Sequence, residues 1–482
     1  MNTQNLTLLT DLYELTMMQG YFETQENETV IFDVFFRNNP NNGGYSIMAG
    51  LDQVIDYIKN LNFSYEDVDY LRGLGIFTED FLHYLSGFHF SGDIYAIREG
   101  SVIFPKEPLL KIVAPIMEAQ LVETAILNII NHQCLIATKA SRVVYAAQGD
   151  GIMEFGLRRA QGPDAGLYGA RAAMIGGCVG TSNVLAGQMF DVPVMGTHAH
   201  SWIMSFKDEY TAFKEYARLY PNACTLLVDT YDTLKSGVPN AIRVFTEMRD
   251  AGIHPKSYGI RLDSGDLAYL SKKARKMLDE AGFTDAVIAA SNDLDEFLIN
   301  DLKIQGAKIG SWGVGTNLIT SKDCPSFGGV YKLSAIQNND GEFIPKIKIS
   351  ENVEKITNPG DKTIYRVYDK ETGKIRADLI CFADETWNEE DELLLFDPNA
   401  TWKKTRLPGG SYTMKEILLP IFKHGECIYE SPSVMEIAQF CKEEKETLWD
   451  ETKRLFNPHG VYVDLSRSLY DTKTRLLDEM SK

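Results

Sequence analysis

From about residue 152 the chain alternates short, β-prone apolar runs with helix-length segments, and this alternation restricts its fold more than any other feature. Repeated strand–helix units need crossover connections, so their strands run parallel, in a doubly wound sheet or a closed barrel. Strands fit 152–155, 178–181, 193–196, 224–229, 257–262, 286–291, 308–312 and 330–333. Helices fit the segments beginning near Asp164, Ser182, Lys207, Pro239, Asp266 and Asp293. Eight strands favour the barrel, whose site lies at the C-terminal strand ends. The residues to collect there are 155–159, Thr181, Ser182, His198, His200, Asp229, Arg261, Asp263, 291–293 and 313–316.

A chain of 482 residues exceeds one ordinary core, and the flanks read differently from the middle. Asp11-Leu12-Tyr13-Glu14 has the form of a capped helix start, with Gly20 as the stop. A strand at 30–37 ends in Arg37; helices at 51–61 and 78–85 and strands at 94–97, 102–105 and 109–113 complete an α+β region. The weakly charged 115–144 reads as buried helix. Beyond 335 come a strand at 345–349, a hairpin of 363–368 with 375–382 turning at Thr372-Gly373, an acidic loop at 385–392 and an amphipathic helix at 433–455.

The net charge of −19 argues against general nucleic-acid or membrane-surface binding. Seven scattered cysteines, none in a Cys-x-x-Cys pair, read as free thiols in a reducing compartment. Residues 1–5 lack the basic start of a signal peptide, and the uncharged run 172–190 is too rich in Gly, Thr, Ser, Asn and Gln to insert in a membrane. A cytoplasmic protein is expected.

Four constellations carry chemistry. His198-Ala199-His200 invites a metal, but only His254, His424 and His459 follow, and none of them falls at a C-terminal strand end, so structural or non-metal catalytic histidines fit better. In Arg261-Leu262-Asp263-Ser264-Gly265-Asp266, Asp266 suits a helix cap and Arg261 a simple pair with Asp263. The same residues also suit a polyphosphate, Mg²⁺ and a developing sugar cation. Gly313-Val314-Gly315-Thr316, with Ser291-Asn292-Asp293 before it, sits where barrels bind phosphate. In Glu154-Phe155-Gly156-Leu157-Arg158-Arg159-Ala160-Gln161-Gly162, Phe155 equally fits core, whereas two adjacent arginines at a strand end call for anionic partners.

Together with Thr10-Asp11-Leu12-Tyr13, Phe35-Phe36-Arg37, Gly180-Thr181-Ser182-Asn183 and Gly329-Val330-Tyr331-Lys332-Leu333, these motifs resemble the nicotinate phosphoribosyltransferases along nearly the whole chain. The resemblance implies an irregular α/β barrel over 126–340, an N-terminal α+β domain over 1–125 and a C-terminal α+β extension over 341–482. It implies transfer of phosphoribose from 5-phosphoribosyl 1-pyrophosphate to nicotinate, with Mg²⁺ and coupled ATP hydrolysis, in a homodimer with shared active sites. Site by site, His200 is similar to the histidine phosphorylated by ATP. Phe155 and the partner subunit's Tyr13 are similar to the rings around the pyridine. Arg158 and Arg261 resemble groups near the base and phosphates, Asp263, with Asp266, carboxylates near ribose and metal, and the loop of Gly313, Gly315 and Thr316, with Ser291 and Asn292, the phosphate cradle. Arg37, Arg142 and Lys332 resemble further substrate contacts. Ser182 stands where nicotinamide-using relatives carry an aspartate, which favours nicotinate.

Overall fold

The computed structural model describes residues 5–352 and 355–480; residues 1–4, part of the stretch read for a targeting signal, lie outside it. The chain forms two compact units, one of Met1–Leu135 with Ser326–Lys482 and one of Ile136–Pro325.

The first unit is built on a seven-stranded sheet in the order Phe343–Pro345, Gly329–Gln337, Thr29–Phe36, Leu110–Pro115, Asp93–Ile97, Leu418–Lys423, Glu426–Cys427. Every pairing is antiparallel. Thr29–Phe36 is almost continuously apolar and buried, as a central strand covered on both faces must be. Helices Leu51–Lys59 and Glu79–Ser86 pack their apolar faces on this core, together with Tyr65–Gly73, an element not singled out in the sequence. The hairpin of Lys362–Asp369 and Ile375–Phe382 forms as expected. Two later strands extend it, Tyr412–Glu416 antiparallel and Tyr462–Leu465 parallel.

Three local expectations fail here. The strand read at 345–349 is instead Phe343–Pro345, and 346–350 is irregular. Gly20 lies inside helix Leu12–Thr24, which ends instead at Gln25 in a left-handed conformation. A lone helical glycine costs only about 1 kcal/mol, and the burial of Leu15 and Met18 outweighs it. Asp11 and Glu14 form no capping box. Both carboxylates turn to Thr124, whose hydroxyl lies 3.0 Å from Asp11 Oδ2 and 2.7 Å from Glu14 Oε1.

The second unit holds six parallel strands in the order Gly180–Thr181, Gly151–Glu154, Ser311–Val314, Val287–Ala290, Ser257–Leu262, Ala223–Leu227. Two of the eight expected strands are not in this ladder. The run 193–196 makes a single bridge, Thr181 to Val194; Pro193 has no N–H to donate and Val194 is exposed. The run 330–333 belongs to the first unit, where Phe32 pairs antiparallel with Leu333 and Phe36 with Gly329. The parallel sheet is therefore open among its hydrogen-bonded strands. At the edge strand the Leu227 N–H donates to His198 Nε2 at 3.3 Å, so a side chain takes the place of another strand. Among the described residues no helix is long and apolar enough to cross a membrane.

Candidate active site

The polar residues of the second unit gather where its strands end. Arg261, one residue from the end of Ser257–Leu262, is mostly buried. Its Nη1 donates to Ser291 Oγ at 2.9 Å and Asp263 Oδ1 at 3.2 Å, and its Nη2 to the His198 carbonyl at 2.8 Å. Its Nε is buried with no partner among the described residues. Burial lowers its pKa, against the pull of Asp263 and Asp229. Ser291 also donates to Asp263 Oδ1. Asp229, just beyond strand Ala223–Leu227, accepts on Oδ2 from the Asp263 N–H at 3.0 Å and the Ser264 hydroxyl at 2.6 Å, while its Oδ1 is buried and unpartnered.

The two histidines part company. His198 is 8% exposed, packed against Phe213 and Tyr216, and burial pushes its pKa down to about 4. It is neutral, with Nε2 accepting from Leu227. His200 is partly exposed at the start of helix His200–Met204; Nδ1 sits 3.0 Å from Thr230 Oγ1 and Nε2 3.7 Å from Asp263 Oδ2. The rings thus serve different partners, and among the described residues no cluster of His, Cys, Asp or Glu has the geometry of a metal centre.

Across the sheet, Phe155 follows strand Gly151–Glu154 and its N–H donates to the Val314 carbonyl at 2.8 Å. Gly313 is required beneath the ring, since a Cβ there would lie 2.6 Å from Phe155 Cδ2. Glu154, fully buried, accepts from the Thr181 hydroxyl at 2.6 Å and from the Gly156 N–H, and burial raises its pKa. Its carbonyl accepts from the Ser182 N–H at 3.0 Å, so one residue ties together the loops bearing Phe155 and Ser182. Arg158 and Arg159 are exposed, and Arg158 acts electrostatically on Arg261. Asn292 has φ 118°, a strained value for a non-glycine residue at a strand end. Gly315 precedes the short helix Thr316–Ile319.

Other residues singled out in the sequence stand in different settings. Asp266 caps helix Leu267–Glu280, accepting from the Tyr269 N–H at 2.9 Å. Arg142 is buried, its Nε 3.0 Å from Glu296 Oε1. In the first unit, Lys332 pairs in register with Asp33 and lies 3.9 Å from Glu123. Arg37 has a buried, unpartnered Nε, and Tyr13 is 45% exposed. Thr230 and Glu154 were given no role in the sequence. A hydroxyl directly after Asp229 at a strand end was the available signal for Thr230; nothing local marks Glu154 as buried.

Models of the nicotinate phosphoribosyltransferase N-terminal domain, family and C-terminal domain match residues 8–131, 151–372 and 361–473. The chain is 46% identical over 477 residues to nicotinate phosphoribosyltransferase of Bacillus subtilis (strain 168), covering 99% of this chain and 96% of that one. It belongs to the nicotinate phosphoribosyltransferase family. The Homo sapiens nicotinate phosphoribosyltransferase is 31% identical over 521 residues, covering 96% and 95% of the two chains. The crystal structure of human nicotinic acid phosphoribosyltransferase superposes with a TM-score of 0.85 at 28% identity, covering 97% of this chain and 99% of that one. The chain therefore shares the fold of that structure.

Proposed function

We propose that this chain joins nicotinate to 5-phosphoribosyl 1-pyrophosphate, giving nicotinate mononucleotide and pyrophosphate for NAD biosynthesis, with ATP hydrolysis coupled through His200. The observation that carries the reading is the Arg261–Asp263–Ser291–His200 cluster, in which a buried guanidinium with an unused N–H faces carboxylates and a partly exposed imidazole. In the reaction the pyridine nitrogen lone pair forms the bond to ribose C1 as the C1–O bond to pyrophosphate breaks, through an oxocarbenium-like state. Arg261 and Arg158 balance the departing polyanion and Asp263 the transient cation. Phe155 stacks on the pyridine, Ser182 leaves room for its carboxylate, and the N–H groups at Gly313, Gly315 and Thr316, with Ser291 and Asn292, hold the 5′-phosphate. Arg142 supports the site through Glu296.

His200 takes the γ-phosphoryl of ATP on Nε2, the nitrogen free of Thr230, as the bond to ADP breaks; the added charge orders the substrate loops. Among the described residues Asp229 Oδ1 is buried without a partner and Asp263 Oδ2 has only His200 Nε2 nearby at 3.7 Å, a donor set that suits Mg²⁺, with Asp266 mainly a cap. Bound there, Mg²⁺ would neutralise pyrophosphate charge. We read the parallel sheet, its edge strand capped by His198, as an irregular α/β barrel over 126–340, with 1–125 an N-terminal α+β domain and 341–482 a C-terminal extension. Free cysteines throughout the described residues suit the cytoplasm, and the acidic surface suits neither nucleic acid nor membrane.

The test offers labelled 5-phosphoribosyl 1-pyrophosphate with nicotinate, nicotinamide or quinolinate in parallel. Product from nicotinate alone supports the reading; equal turnover of nicotinamide, or unimpaired nicotinate use by Ser182→Asp, overturns the pocket assignment. Acid-labile label from γ-labelled ATP should appear in the wild type and vanish in His200→Ala. The exposed Tyr13 motivates a homodimer in which the partner subunit's Tyr13 completes each pocket. Co-refolded Tyr13→Ala and His200→Ala chains should then recover roughly a quarter of wild-type activity; folded but inactive mixed dimers would refute sharing.

A further inference from the structure

A cavity of about 360 Å³ lies wholly within the first unit, between strands Thr29–Phe36, Gly329–Gln337 and Tyr462–Leu465, the start of Lys362–Asp369, and helix Arg467–Met480. Four lysines line it, Lys106, Lys332, Lys362 and Lys473, against one carboxylate, Asp33, in a chain whose net charge is −19. That carboxylate is already engaged, with Asp33 Oδ2 2.8 Å from Lys362 Nζ. Among the described residues Lys473 has only a neutral partner, Asn358 Oδ1 at 2.8 Å. Lys106 makes no ion pair among the described residues, and it is held in the left-handed region at φ 76°.

Clustered ammonium groups around a cleft repel one another and are costly to keep from water unless an anion joins them. Burial, then repulsion from Lys106 and Lys362, pushes the Lys473 amine down to about 8. The other wall is apolar, with Phe35, Pro108, Ile380, Tyr470 and Leu477. A cationic end and an apolar wall at this volume match small-molecule sites of roughly 300–1,000 Å³.

We propose that this cavity binds a phosphate dianion, free or as the monoester of a mononucleotide-sized molecule, through Lys106, Lys362 and Lys473, with any organic part against Phe35 and Tyr470. The site goes beyond the transferase chemistry and gives the first unit a ligand of its own.

The test exploits Lys473 itself. The full-length protein is treated with a limiting amine-acylating reagent near pH 8, and acylation of Lys473 is read by mass spectrometry without ligand, with AMP and with inorganic phosphate. At a ligand concentration ten times its Kd, acylation should fall about tenfold. Compared at one common concentration, stronger protection by AMP identifies the ester, and equal protection identifies free phosphate; both uphold the site. In Lys106→Met, with an unchanged thermal melt, protection should weaken severalfold; if that variant melts early, Lys106→Gln replaces it. Absence of protection by either compound, or protection unaltered in the folded Lys106 variant, overturns the proposal.

Discussion

Arg366 in the first unit and Arg261 in the second are both buried beside carboxylates, yet one guanidinium is saturated and the other is not. Arg366, 1% exposed, donates from Nε to both oxygens of Asp378 at 2.9 and 3.2 Å, and from Nη2 to Asp378 at 2.7 Å and the Val102 carbonyl at 2.8 Å. Its Nη1 reaches Glu444 at 3.0 Å. Burial works to lower its pKa, but Asp378, Glu107 and Glu444 hold it well above the ordinary value. Arg261 keeps a buried, unpartnered Nε, and burial leaves its pKa below the ordinary value despite Asp263 and Asp229. A saturated pair serves the fold; an unsaturated one retains hydrogen-bonding capacity for a ligand, at a standing cost to stability.

The largest effect should come from breaking the saturated pair. Arg366→Met strands Asp378 and Glu444 and should cost about 3–5 kcal/mol of unfolding free energy; urea titration measures it, with activity per folded molecule nearly unchanged. Arg261→Met should do the reverse. Its stability should stay within about 1 kcal/mol of wild type while kcat/KM falls about 10²–10³-fold. If both variants lost stability alike, the contrast between the two sites would fail.

His198 sharpens the comparison, because its carbonyl holds Arg261 while its ring caps one N–H of the open sheet's edge strand. Its pKa of about 4 in the fold lies below the ordinary 6.5, so the unfolded chain binds more protons between these values. Its contribution to stability is whole above about 6.5 and is lost as pH falls toward 4, amounting to roughly 2 kcal/mol by pH 5. Unfolding free energies of wild type and His198→Gln at pH 7 and 5 test this: the difference between them should shift by that amount, whereas a pH-independent difference would mean that His198 titrates normally. Smallest of all, Gly313→Ala must displace the Phe155 ring. It should raise KM for nicotinate about tenfold, or ~1.4 kcal/mol, with kcat little changed; an unaltered KM would remove Phe155 from the pocket.

Much of this was legible locally. The hairpin at Thr372-Gly373, the helices at 51–61 and 78–85 and the strands at 152–155 and 257–262 follow from periodicity and turn chemistry. The clustering of Arg261, Asp263 and Ser291 followed from parallel strands having a common end. Thr230 and Glu154 escaped notice because their importance lies in a partner on another loop, Thr230 at His200 and Glu154 at Thr181.

By itself, then, the amino-acid sequence determined the alternation of strands and helices, the polar strand ends and the family, since side-chain periodicity, capping and motif spacing are properties of short segments. Only the tertiary structure decided that 330–333 pairs with a strand some three hundred residues earlier, and that the parallel sheet stays open at His198. It alone made one of two neighbouring histidines a buried neutral prop and left the other accessible. The reason is physical: backbone hydrogen bonds are the same for every residue, so a strand's partner and a ring's protonation are chosen by what burial brings together across the chain.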